Sequence, residues 1–274
     1  MSKNFILNAD DFGLTIHHNK AVLEGYRTEI LTSASLCTNT DAFSDAVENV
    51  LPMCTNLGVG VHLNIMEGHA LTDCALLTDN YGCFEKSYLY LILNRHNKNL
   101  LSQIKQEFKA QIEKALIHNV QIDHLDSHVH THAIPEIFEI TCELAKKYDI
   151  KYVRTQNEFP YIIKNTDLKS YSINFIKIML LKYFTHKNKK TLRKYDLKTN
   201  DNIIGVGYTG MMSADAIISG VKATQNSEII EALIHPCKYE KQDSHLNEFY
   251  ITQNKNLKKD IENLGFVFAN YKTF

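Results

Sequence analysis

"FILNADDFG", residues 5–13, carries an apolar run straight into two adjacent carboxylates, Asp10 and Asp11, and then into Phe-Gly. The run reads as a buried strand that ends on two like charges. Like charges held close repel, so one of the pair must be protonated, paired or set against a cation. If Phe5–Ala9 is a strand, both acids sit at its C-terminal end and leave toward opposite sides. Parallel α/β folds build their sites at that end. A helix beginning near Thr15 would use one of the two as a cap equally well.

Outward from this stretch, short apolar runs alternate with amphipathic ones. Strands are predicted at Phe5–Ala9, Ile30–Leu36, Gly58–Asn64, Gln121–Asp126, Lys151–Arg154, Asn202–Val206, Glu228–His235 and Phe266–Ala269. Helices are predicted at Ile16–Arg27, Ala42–Leu51, Leu100–His118, Pro135–Tyr148, Ser172–Thr185, Ala214–Thr224 and Asn254–Leu264, the last closed by Gly265. This alternation means parallel strands with helical crossovers, so the expected class is α/β. A single-domain (β/α) barrel over residues 1–274, distorted or incomplete, is the first expectation, and an open doubly wound sheet the second. No G-x-G-x-x-G follows a strand and no G-x-x-x-x-G-K-[ST] occurs, which removes the main support for dinucleotide and P-loop readings. Residues 65–99 form a long, lid-like connection after the third strand, with Tyr81, Phe84, Tyr88 and Tyr90 as candidates for stacking on a sugar or for ordinary packing. Residues 186–200 are basic and polar and read as a solvated loop.

Composition narrows the function. A formal net charge of −1 argues against general affinity for nucleic acid. Six scattered cysteines without a C-x-x-C pair suggest reduced thiols in a cytoplasm. The first residues lack the layout of a secretory signal. The most apolar window, "INFIKIMLLKYF" at 173–184, is broken by Lys177 and Lys182 and is too short to span a bilayer, so stable membrane insertion is not expected. It reads as a core helix whose lysines reach outward, with a place on a membrane surface as the other reading. Nothing sets the oligomeric state, and a homodimer is admissible.

Two further blocks carry chemistry. His62 ends the strand of "GVGVHLNI", 58–65, and "HLDSHVHTH", 124–132, places four histidines and Asp126 around the end of another. If that strand continues, alternation puts His124, Asp126 and His128 on one side, with His130 and His132 following at the same spacing. Three separate strands thus deliver an acid or an imidazole to one sheet edge. One carboxylate with two histidines suits a catalytic divalent ion. Such an ion also makes the aspartate pair tolerable: one carboxylate grips it and the other stays free to take a proton.

The blocks "NADDFGLT", "GVGVHLNI", "HLDSHVHTH" with the following proline, and "LIHPCKY" resemble the signature blocks of the YdjC-like (ChbG-type) carbohydrate deacetylases, and the resemblance runs on to the final "LGFVFANY". It implies a distorted (β/α) barrel related to the polysaccharide deacetylases. It also implies removal of acetyl groups from N-acetylated sugars or oligosaccharides with one divalent metal ion, magnesium or zinc. Carried over residue by residue, it implies Asp11, His62 and His128 as metal ligands, Asp10 as general base and His235 as general acid. His124, Asp126, His130 and His132 match the same block, where they are expected to orient the metal-bound imidazoles. The alternatives are a metal-dependent phosphoesterase, which would want a lysine or arginine near a histidine block that has none from 119 to 145, and a non-catalytic metal-binding protein.

Overall fold

The computed structural model describes residues 3–164, 166–239 and 244–274. Among them the strands are β1 (Lys3–Phe12), β2 (Ser33–Leu36), β3 (Gly58–Leu63), β4 (His124–Ser127), β5 (Tyr152–Val153), β6 (Asn202–Ile204), β7 (Ile229–Ile234) and β8 (Phe266–Phe268). The α-helical segments are α1 (Ile16–Arg27), α2 (Phe43–Asp45), α3 (Tyr88–Leu93), α4 (Lys98–Ile117), α5 (Pro135–Lys147), α6 (Leu168–Tyr195), α7 (Ala214–Ala223), α8 (Ser244–Thr252) and α9 (Lys255–Asn263).

All strand pairs are parallel, in the order β5-β4-β3-β2-β1-β7-β6. That order is a ring of consecutive strands with one break, between β5 and β6, so the sheet is a curled, incomplete barrel and not a doubly wound sheet. The break is spanned by a few backbone bonds in place of a ladder: Val153 N–H donates to the Lys198 carbonyl (3.1 Å), Lys198 to Lys151 (2.9 Å) and Ile203 to Asn157 (3.2 Å). β1 is the longest strand. It holds β7 along Asn4–Ala9 on one edge, and on the other β8 at Lys3–Phe5 followed by β2 from Asn8 onward. Coverage on both faces explains why these strands read as near-continuous apolar runs; Phe5, Leu7, Val61, Leu125 and Ala232 are all buried in one core.

Local chemistry sets the helix ends. The side chains of Thr15, Asn97, Asp167, Ser213 and Asn254 accept backbone N–H bonds as N-caps, and Pro135 occupies the first turn of α5. Gly265, at φ +85°, ends the last helix as expected.

Four sequence expectations need correction. The segment 186–200 is not a solvated loop, because α6 runs unbroken from Leu168 to Tyr195. Its buried positions Thr185, Asn188 and Leu192 continue the inward spacing of Ile178 and Leu181, a signal that the lysines between them obscure. Nor is 173–184 an ordinary core helix, since Ile173, Ile176, Met179 and Tyr183 face outward. The helix predicted over Ala42–Leu51 is a succession of short turns, α2 and then π and 3₁₀ segments. α3, inside the 65–99 connection, and α8 were not anticipated from the sequence. The 65–99 connection is tied down by the buried Glu107 of α4, whose carboxylate accepts from the backbone of Leu71 and Thr72 (2.9–3.1 Å). Within it Phe84 is buried and Tyr81 is exposed.

Candidate functional site

The C-terminal ends of β1, β3 and β4 bring the three aspartate and histidine blocks together. One ligand atom each from Asp11, His62 and His128 lies within 4.8 Å of the others. Asp11 Oδ1 is 2.9 Å from His128 Nδ1 and 3.5 Å from His62 Nε2. The other ring nitrogen of His62 is 2.8 Å from Asp126 Oδ1, which fixes the ring and leaves Nε2 facing Asp11. Register explains this bond, because His62 and Asp126 are partners across the β3–β4 pair.

Strict alternation does not hold at either block. Asp11 adopts φ 65° where the β1–β2 register shifts between Ala9 and Phe12, and this bulge lets both Asp10 and Asp11 reach His62 instead of leaving to opposite sides. β4 stops at Ser127, and Val129 and His130 are left-handed (φ 53° and 57°), so His128, His130 and His132 do not continue the strand spacing. The turn is pinned by Ser127 Oγ, which accepts from the His132 backbone N–H (2.9 Å).

Asp10 has other company. Both its carboxylate oxygens are taken by Arg154, Nη1 to Oδ2 and Nη2 to Oδ1, each at 2.8 Å, and Asn8 donates to Oδ1 as well (2.7 Å). The same guanidinium, wholly buried, reaches Asp126 Oδ2 (2.7 Å) and Glu231 Oε1. A second acid–imidazole cluster, Asp10, His62 and Asp126, is as tight as the first. Its two carboxylates, however, already share one guanidinium, so of the two corners the Asp11 one has the donors free to hold a metal ion. There the donor set fits one: a carboxylate and two imidazoles, in a buried neighbourhood where Asp10, Asp11, Asp126 and Glu231 outnumber Arg154. The excess negative field is visible in His128. Burial pushes its pKa down, but Asp11 and Glu67 outweigh that and raise it to about 10. Asp11 is lowered; burial opposes ionisation and the bond and charge of His128, with His235 and His62, overcome it.

Asp10, His62, His128 and His235 line one cavity of about 340 Å³, with Tyr88, Val129, His130 and residues of α6 forming further walls. His235 follows β7; its Nδ1 is 3.3 Å from Glu248 of α8. Desolvation lowers the His235 pKa, and Glu248, with help from Asp11 and Asp10, raises it on balance to about 9.

Against known proteins, the sequence profile described as YdjC-like protein matches residues 4–263. The chain belongs to the YdjC-like family. The carbohydrate deacetylase of Clostridium beijerinckii is 35% identical over 159 residues, 57% of this chain and 62% of that protein. The carbohydrate deacetylase of Thermoanaerobacter pseudethanolicus is 33% identical over 165 residues, 59% of this chain and 64% of its own length. The aligned stretch therefore spans less than two thirds of these relatives. A solved structure from Enterococcus faecalis V583, provisionally assigned to cellobiose-phosphate cleavage, shares the fold with a TM-score of 0.77 and 21% identity over 100% of this chain and 99% of that one.

In this YdjC-like chain the other histidines of the 124–132 block divide. The His124 ring packs over Gly60, its register partner, where any Cβ would collide with it, and bonds Asp123. His132 bonds Ser127 Oγ (2.5 Å) and the Arg154 carbonyl (3.0 Å), and burial lowers its pKa to about 4. His130 lines the cavity, and burial lowers its pKa to about 3. Of the four residues expected to orient imidazoles, Asp126 is the one bonded to His62. Sequence reasoning missed Glu67, Glu231 and Glu248. Glu231 sits mid-strand in an apolar run, and that is the signal that could have marked it, since a lone acid in a buried strand must have a partner.

Proposed function

We propose that this chain is a divalent-metal-dependent carbohydrate N-deacetylase that hydrolyses the acetamide of an N-acetylated sugar or oligosaccharide. The observation carrying the proposal is that Asp11, His62 and His128 converge at the edge of a cavity that Asp10 and His235 also line. The names of the relatives support the acyl-sugar class.

Asp11, His62 and His128 would hold the ion, whose chemistry when bound is Lewis acidity: it acidifies water and polarises an acyl carbonyl. Two imidazoles favour zinc, and the family resemblance brings in magnesium. Burial raises the Asp10 pKa, but the charges of Arg154 and His62 and the bonds to Arg154 reverse this and hold it below the usual carboxylate range, so Asp10 is ionised at neutral pH. Oδ1 is filled by Arg154 and Asn8, but Oδ2 keeps a lone pair beyond its Arg154 contact, so Asp10 can accept a proton from the attacking water there. His235, kept cationic by Glu248, donates a proton to the departing nitrogen, because an amide nitrogen leaves poorly without one.

Arg154 is committed to Asp10, Asp126 and Glu231. It is therefore not free to neutralise a phosphate ester, and Lys177 is the lysine that lines the cavity. We read residues 1–274 as one such domain, and the six free cysteines as fitting a reducing cytoplasm. The test is an acetate-release screen over N-acetylated mono- and oligosaccharides. Release that a chelator abolishes and added metal restores is the expected result; metal-loaded protein that frees no acetate from any of them overturns the proposal.

A further inference from the structure

The helix α6 is unexplained by deacetylation. Its 28 residues carry eight lysines and arginines and no aspartate or glutamate, in a chain of formal net charge −1. Its inward line is buried, including Tyr171, Ile178 and Leu181. The opposite line divides into two halves. Ile173, Ile176, Met179, Leu180 and Tyr183 are 36–70% exposed, an apolar strip of roughly 15 Å at helical rise, with Leu168 set apart from it by the exposed Lys169 and Ser172. Beyond Tyr183 the same line carries the exposed Lys187 and Lys190. A contiguous apolar strip facing water marks an interaction surface, and lysines that continue it call for a negatively charged partner. Among the described residues no helix is long and apolar enough to cross a membrane. An apolar face bordered by lysine is instead the layout of a helix lying in a lipid interface.

We propose that the outward face of α6 docks on an anionic lipid surface, its apolar half entering the headgroup boundary while Lys187 and Lys190 meet lipid phosphates. The pocket borders this face at Leu180, which lines, with Lys177 and Leu181 of the same helix, the cavity that holds Asp10, His62, His128 and His235. A second copy of the chain is the poorer partner, because the outward face of α6 offers no acid to meet the Lys187 and Lys190 of another α6.

The test floats the full chain with vesicles of phosphatidylglycerol and phosphatidylcholine, and with phosphatidylcholine alone, at about 0.1 M salt. The protein is expected to float with the anionic vesicles only. Lys187→Gln with Lys190→Gln should lower partitioning about 25-fold, at about fivefold per lysine, and Ile176→Asp with Met179→Asp should abolish it. All four side chains are exposed, so thermal unfolding should match the wild type. Protein that stays down with both vesicle types overturns the proposal, as does flotation undiminished in both variants. A wild-type dimer that ignores vesicles and that Ile176→Asp with Met179→Asp splits into monomers also overturns it, assigning the face to a second copy. Acetate release from the panel of soluble N-acetylated sugars, measured on the same metal-loaded samples, fails separately: its absence with every sugar would sink the deacetylase reading and leave the docking result standing.

Discussion

The guanidinium of Arg154 grips the Asp10 carboxylate at two points, both 2.8 Å, across 144 residues of chain. Neither group touches water to any extent, and Asp126 and Glu231 crowd the same cation. Removing one partner of such a buried pair strands the others. Arg154→Met is therefore expected to lower unfolding stability by about 3–5 kcal/mol, read from urea denaturation. Arg154→Lys should recover only part of the loss, because an ammonium cannot form the two-point contact.

Base and ligand should separate experimentally. Asp10→Asn is expected to cut acetate release by ~10²–10⁴ while the purified protein keeps its metal. His128→Ala should lose the metal itself. Elemental analysis beside a turnover assay distinguishes the two, and full activity in Asp10→Asn would remove that residue from the mechanism.

Glu248 acts through His235. With the His235 pKa raised to about 9, the acid form persists through neutral pH and is lost as pH climbs past that value. Glu248→Gln removes the main stabiliser of the imidazolium, so the alkaline limb of kcat/KM should move to lower pH. A limb that stays in place would assign it to another group.

Glu158 makes stability depend on pH. Burial raises its pKa from 4.5 to about 7, although the backbone N–H groups of Gly205 and Gly207 bond its carboxylate and oppose the shift. Between those values the folded state binds more protons than the unfolded one, so this group's contribution falls as pH rises through the window. The loss amounts to at most about 3 kcal/mol. Urea midpoints from pH 5 to 8 should show it in the wild type, and the slope should flatten in Glu158→Gln whatever that variant's absolute stability.

Much of this was legible in the chain. The strand ends at Asp10 and His62 each had a harmless reading alone and stood out only beside the 124–132 histidine block, while His235 was marked by the family resemblance. The positive φ of Asp11 was not legible, since aspartate carries no such mark and only the bulge against β2 reveals it. From sequence alone Arg154, at the end of a short strand, could equally pair with a site carboxylate or lie at the surface, because its three acidic partners lie on β1, β4 and β7 and converge only when the sheet curls. The length of α6 was hidden by its lysines, which suggest solvent while every third or fourth position turns inward.

The seam between β5 and β6 is held by isolated backbone bonds, and Arg154 follows β5 directly. Side-chain bonds between Asn200 and Thr155 add to these backbone bonds, but without a strand ladder the seam is expected to open before the rest of the ring. Each such opening would loosen the counter-ion of Asp10, so amide hydrogen exchange along 151–157 gauges how firmly the proton acceptor is kept in readiness. Stitching that seam more tightly would trade its local fluctuation for a more constant base.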